Sequence, residues 1–114
     1  MAADPDKVRQ VLTNLVDNAV KYSPDGGQIR VEVSAEPDHV RFAVHDEGLG
    51  IPYAEHRRIF DKFYRLDPDM TRGIGGTGLG LYISRELVRR MDGRISVTSE
   101  PGRGSSFAFE LPAA

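Results

Sequence analysis

The chain has 114 residues, the length of one domain, and its 39% hydrophobic content can fill a single core without room for a separate substrate domain. With 15 basic and 17 acidic residues the formal net charge is −2, so overall charge draws it neither to nucleic acid nor to an anionic membrane, and a phosphate-bearing ligand would have to be held by local geometry. There is no cysteine, which excludes disulfides, thiolate metal sites and cysteine nucleophiles and suits the cytosol.

Met1-Ala2-Ala3-Asp4 lacks the basic and apolar regions of a signal peptide and would fit the start of a fragment of a longer protein. Asp4-Pro5 reads as a helix start, with aspartate as cap and proline at the first helical position. Val8, Val11, Leu12, Leu15 and Ala19 recur at helical spacing, and Ser23-Pro24-Asp25-Gly26-Gly27 predicts an end near Tyr22. Ile29, Val31 and Val33 alternate with polar residues, as do Val40, Phe42 and Val44, which predicts two strands joined through Glu36-Pro37-Asp38-His39. Asp46-Glu47-Gly48-Leu49-Gly50 leaves the second strand, and a short helix is expected after Pro52 with Ile59, Phe60 and Phe63 as apolar anchors. Leu66 to Gly80 is glycine-rich and offers little that could build a core, so it is expected to be the most mobile part of the chain. A second long helix is predicted from about Leu79 to Met91, stopping at Asp92-Gly93. Strands over about Arg94 to Ser99 and Ser105 to Leu111, joined by Pro101-Gly102-Arg103-Gly104, close the chain. No apolar run exceeds three residues, too short to cross a bilayer as a helix. The expected architecture is α/β, a two-layer sandwich with helices on one face of a mixed, mostly antiparallel sheet.

Four places carry polar or glycine patterns that a plain core does not need. At ~100° per residue, Asn14, Asn18 and Lys21 fall within roughly 60° on one edge of the first helix's apolar arc, with Tyr22 just inside it. Asparagine is a poor interior helix former. Either the two amides and the ammonium converge on a ligand, where amide oxygen suits Mg²⁺ and lysine suits phosphate, or they form a partly exposed polar edge. Gly76-Thr77-Gly78-Leu79-Gly80-Leu81 lies where a glycine-rich segment enters a helix, a place suited to phosphate, although a flexible linker would show the same glycines. It is neither a Walker loop nor a dinucleotide fingerprint. Asp46 at a strand end could accept a hydrogen bond from an exocyclic amine, with the following glycines leaving room for a flat ring, or it could belong to an ordinary turn. Ser105, after the Gly102-Arg103-Gly104 turn, could also reach a ligand.

Together and in their order along the chain, these segments resemble the catalytic and ATP-binding domain of two-component sensor histidine kinases, within the GHKL group that includes gyrase B. Asn14-Leu15-Val16-Asp17-Asn18-Ala19-Val20-Lys21-Tyr22 is similar to the family's N box, and Asp46-Glu47-Gly48-Leu49-Gly50-Ile51 to its G1 box. Ile59-Phe60-Asp61-Lys62-Phe63-Tyr64-Arg65 is similar to the F box and Gly76 to Leu81 to the G2 box. Gly104-Ser105-Ser106-Phe107 resembles the last box, with serine where threonine is common. The resemblance implies a Bergerat-type ATP-binding fold over residues 1–114 and a lid at about 66–78. It implies that Asp46 and Ser105 meet the adenine amino edge, beside Gly48, Gly50 and Ile51. Asn18 would ligate Mg²⁺ with Asn14 close by, Lys21 would contact phosphate, and Tyr22 and Tyr64 would lie near the nucleotide. Arg65 would reach the terminal phosphate, and Gly76, Thr77, Gly78, Leu79, Gly80 and Leu81 would cradle the triphosphate. Asn14, Lys21 and Arg65 would serve the transfer itself. Arg72 is a further phosphate candidate, though a solvated loop arginine is the simpler reading.

Hydrolytic relatives usually carry a glutamate where this chain has Asn14, and an amide cannot act as a general base. The sequence therefore favours transfer of the γ-phosphoryl group to a histidine over hydrolysis, with an ATPase or a non-catalytic nucleotide-binding module as alternatives. His39, His45 and His56 all read as surface histidines, none in a phosphoacceptor setting. The acceptor is thus expected on a separate dimerisation and phosphoacceptor domain of a cytoplasmic kinase portion. A response regulator would be an indirect partner, and the isolated domain is expected to be monomeric.

Overall fold

The computed structural model describes residues 4–21, 23, 26–48, 50–51, 53–61, 80–100 and 102–113. Helix α1 spans Pro5–Lys21. It starts where the aspartate-proline pair predicts: Asp4 Oδ1 accepts the Asp6 N–H at 2.9 Å, satisfying one of the free donors of the first turn. Val11, Leu15 and Ala19 form its buried stripe. Strands β1 (Ile29–Ala35) and β2 (His39–Asp46) follow as an antiparallel pair.

The short helix expected after Pro52 takes a 3₁₀ form. It is split into two turns, Tyr53–Glu55 and Arg58–Phe60. Their closing bonds run from His56 N to Tyr53 O and from Asp61 N to Arg58 O, three residues back rather than four. The tighter turns still deliver Ile59 and Phe60 into the core.

Helix α2 spans Gly80–Arg90. Its end is a full Schellman arrangement, with Gly93 N bonded to Val88 O at 2.9 Å and Asp92 N to Arg89 O at 3.0 Å. The left-handed position is held by Asp92 (φ 61), not by the neighbouring glycine. Gly93 is needed for a different reason, because a Cβ there would strike the Glu110 carbonyl oxygen. Strands β3 (Arg94–Glu100) and β4 (Gly104–Pro112) complete a sheet of order β1-β2-β4-β3, antiparallel at every pairing among the described residues.

Both helices pack on one face of the sheet and against each other. The rungs of that face follow from the register. Val40 lies opposite Leu111, Phe42 opposite Phe109 and then Ile95, and Val44 opposite Phe107 and then Val97. Phe42 and Phe109 stack with ring centroids 4.8 Å apart. Each such large side chain fully buried contributes about 1.5–3 kcal/mol. Val31 and Val33 share this face by register with Val44 and Phe42, yet remain 48% and 61% exposed, because β1 is the edge strand. The alternation in β1 therefore sets its facing correctly but not its burial. No helix among the described residues is long and apolar enough to cross a membrane.

Candidate functional site

The helix-covered face of the sheet ends in a polar rung. One step beyond Val44, Phe107 and Val97, the register aligns Asp46 of β2, Ser105 of β4 and Ser99 of β3. Asp46 and Ser105 are both buried. The same packing that holds the core thus withdraws a carboxyl group and a hydroxyl from water. A cavity of about 220 Å³ opens at the sheet end beside this rung, lined by Asp46, Ser99, Gly104 and Ser105 together with Arg103 and with Thr98 and Ser106 of the other face.

Burial pushes the Asp46 carboxyl above its ordinary value of 3.8, against the opposing pull of the Gly48 and Ser105 backbone N–H groups and of His45. The Gly48 N–H donates to Asp46 Oδ1 at 2.9 Å, so the loop leaving β2 curls back onto its own aspartate. Gly104 lets β4 start this close. It has φ +97, and a Cβ on it would collide with the Asp46 carbonyl oxygen.

Ser99 was not among the residues singled out from sequence, and it proves to be the hub of the corner. Its Oγ accepts the Ile51 N–H at 2.6 Å, donates to the Gly104 carbonyl at 2.9 Å, and lies 2.9 Å from Ser105 Oγ. The signal available was the alternation Ile95, Val97, Ser99, which puts Ser99 on the core side of its strand. Ile51 is held from its other side as well, because His56 Nε2 donates to its carbonyl at 3.0 Å.

On α1, Asn14 and Asn18 are half-buried and Lys21 is exposed at the helix end. Asn14 has a structural task that the sequence did not show. Its Nδ2 donates to Ser84 Oγ at 3.3 Å and reaches the Gly80 carbonyl at 3.5 Å, tying α1 to the first turn of α2. Ser84 is fully buried there. With Nδ2 committed to α2, the atom of Asn14 available to a cation is Oδ1. Gly80 opens α2, and Leu81 packs against the core.

All three histidines expected at the surface are half-buried, and His39, expected in the connecting turn, is the first residue of β2. His45 is half-buried on the other face of the sheet, with Nδ1 2.6 Å from Ser106 Oγ and Nε2 3.4 Å from Glu32 Oε1. His56 is half-buried by its bond to Ile51. In each, one ring nitrogen finds a partner on a neighbouring segment, His45 Nδ1 on Ser106 and His56 Nε2 on Ile51. Of the other site residues read from sequence, Tyr22, Tyr64, Arg65, Gly76, Thr77, Gly78 and Leu79 lie outside the described residues, as do Arg72 and the lid expected at 66–78.

A family described as "Histidine kinase-, DNA gyrase B-, and HSP90-like ATPase" matches residues 3–114. The chain is 45% identical over 111 residues to the sensor histidine kinase WalK of Bacillus subtilis (strain 168), a match that covers 96% of this chain and 18% of that protein. It therefore spans less than a fifth of that relative's length. Among solved structures, the mycobacterial sensor histidine kinase MprB superposes with a TM-score of 0.82 at 30% identity, covering 96% of this chain and 72% of that one. Full-length ShkA in complex with AMPPNP superposes with a TM-score of 0.80 at 37% identity, covering 95% of this chain and 22% of that one.

Proposed function

The chain belongs to the family of histidine kinase-, DNA gyrase B- and HSP90-like ATPases, and from that premise we propose that it binds Mg-ATP and donates the γ-phosphoryl group to a histidine on a separate dimerisation and phosphoacceptor domain. The observation that carries the nucleotide half is the polar rung. A buried carboxyl group at the mouth of a cavity, with a serine oxygen beside it, is matched by the two N–H bonds of an adenine amino group. Gly48, Gly50 and Ile51 shape the loop beside the ring, and His56 and Ser99 hold Ile51 in place.

The phosphates are assigned to the side where α1 meets α2. Asn18 and Asn14 supply hard amide oxygens suited to Mg²⁺, which would neutralise charge on the triphosphate. Lys21 adds a positive charge at the end of α1, and the first turn of α2 at Gly80 and Leu81 offers backbone N–H groups to phosphate. Tyr22, Tyr64, Arg65 and Gly76 to Leu79 complete the assignment from the family resemblance.

Transfer is favoured over hydrolysis by Asn14. Its side chain is an amide with Nδ2 engaged on α2, so it cannot take a proton from water. In phosphoryl transfer to a histidine the nucleophile is the acceptor imidazole, and this chain need only position ATP and stabilise charge. The parent is read as a two-component kinase with its catalytic part in the cytoplasm and a response regulator downstream.

The test is calorimetric titration with ATP and a non-hydrolysable analogue, with and without Mg²⁺, on wild type, Asn18→Ala and Asp46→Asn. Asn18→Ala is expected to abolish the Mg²⁺-dependent part of the affinity, and Asp46→Asn to weaken binding at least about tenfold. Binding indifferent to Asp46→Asn would sink the nucleotide assignment. Steady phosphate release by the isolated chain would favour an ATPase instead.

A further inference from the structure

The hydrogen-bond inventory around Ser99 determines which way the Ser105 hydroxyl can point. Two oxygens 2.9 Å apart need a proton between them, and Ser99 Oγ makes two such contacts, to Gly104 O and to Ser105 Oγ. A carbonyl brings no proton, so the single Ser99 proton lies toward Gly104. The remaining gap is then filled by the Ser105 proton. Ser99 Oγ also accepts from Ile51 N, so its one donor and two acceptor sites are all in use.

The Ser105 proton is therefore spent on Ser99, and Ser105 Oγ offers a ligand lone pairs only. Beside it stands the Asp46 carboxylate, also an acceptor when ionised. We propose that Ser99 is a specificity-determining positioning residue: by fixing the polarity of Ser105 it makes the rung an acceptor-only surface, which admits a purine bearing a 6-amino group and rejects one bearing a 6-carbonyl. This rests on the reading of Asp46 as the receptor for the adenine edge. Ser99 need not touch the nucleotide, because it acts through Ser105 and through the Ile51 N–H that it holds.

Removing the Ser99 hydroxyl frees the Ser105 proton to turn toward a carbonyl. Loss of the Ile51 contact weakens both nucleotides alike, but Ser105 can still accept from an amine and its freed proton helps only inosine triphosphate, so the ratio between the two narrows. A residue with a merely structural role would weaken both nucleotides by the same factor.

The experiment is titration of the 114-residue chain with ATP and with inosine triphosphate. Wild type should prefer ATP, Ser99→Ala should narrow the ratio by about tenfold or more, and Ser99→Thr, which keeps the hydroxyl, should restore it. In a Ser105→Ala background, Ser99→Ala should no longer change the ratio. Should Ser99→Ala fail to fold, the near-isosteric pair Ser99→Thr and Ser99→Val carries the same comparison. An unchanged ratio in Ser99→Ala, or an equal loss for both nucleotides, overturns the role of Ser99 and leaves the Asp46 reading standing. A wild-type chain indifferent to the two nucleotides overturns both.

Discussion

Replacing Gly104 by alanine tests whether the close approach of β4 to the end of β2 builds the site. The added Cβ meets the Asp46 carbonyl oxygen, with Asp46 C and Glu47 Cα at 2.9 Å. All three atoms are backbone, so no change of rotamer can make way. An L-residue at φ +97 is itself strained, at about 1–2 kcal/mol for a left-handed backbone. Overpacking adds about 1–3 kcal/mol. The expected loss for Gly104→Ala is thus about 2–5 kcal/mol. Gly102 is the internal control, with φ +79 and nothing within 4 Å of its notional Cβ. Gly102→Ala should show only the conformational part, about 1–2 kcal/mol. Urea unfolding measures both as midpoint shifts at constant slope. Where Gly104→Ala still folds, the displaced strand end should also lower ATP affinity by more than about tenfold, at about 1.4 kcal/mol per decade. Equal destabilisation by the two substitutions, or intact ATP affinity in a Gly104→Ala chain, would refute the reasoning.

Three further outcomes follow from the same geometry. Burial raises the Asp46 pKa above 3.8, so the stability it contributes is complete below that value and is lost as pH rises through the folded one. Asp46→Asn should remove that decline, and the variant should gain on wild type in denaturant unfolding between pH ~4 and ~7 even as it loses ATP; a wild type gaining on the variant over that interval contradicts the sign. Asp92→Gly should stabilise the chain by about 0.5–1 kcal/mol, because glycine takes the left-handed position after α2 without strain, and a lower unfolding midpoint would count against the capping account. Incubation of the chain alone with Mg-ATP should yield no acid-labile phosphohistidine until a histidine-bearing helical domain is added, since His45 and His56 are bound to neighbouring segments and His39 pairs with Asp38 at 2.7 Å. Phosphohistidine recovered from the chain alone would refute it.

Much of the fold was legible because its periodicities are strong. The helical stripe Val11, Leu15, Ala19 and the two-residue alternations of β2 and β4 each encode a face, and every such element is where the pattern put it. What pattern alone could not carry was partnership between distant segments. Ser99 lies on a readable strand, but its importance depends on β4 entering between β2 and β3, a strand order set by the crossover through α2. Asn14 was conspicuous as a polar residue beside a core, yet its partner Ser84 is seventy positions away. In the segment after residue 51 the helix was legible but not its type, because two apolar anchors in adjacent positions satisfy a 3₁₀ turn as well as an α-helix. Asp92-Gly93 was read correctly as a stop, but the roles within the pair depend on how near β4 passes.

The polar rung also explains why discrimination and stability should oppose each other here. Its groups sit at the last step of an apolar face, so the packing of Val44 and Phe107 that stabilises the sheet is what removes Asp46 and Ser105 from water. The Gly48 and Ser105 N–H groups answer part of the Asp46 carboxyl, yet burial still raises its pKa, and a ligand N–H placed against it would add a bond to a charged acceptor, worth about 1.5–3 kcal/mol. A ligand without the N–H gains nothing and adds repulsion between lone pairs. On the proposed reading, the free energy by which the rung would prefer an amine is drawn from the same burial that weakens the ligand-free chain. Substitutions that relieve the burden on Asp46 should relax the choice of base in the same measure.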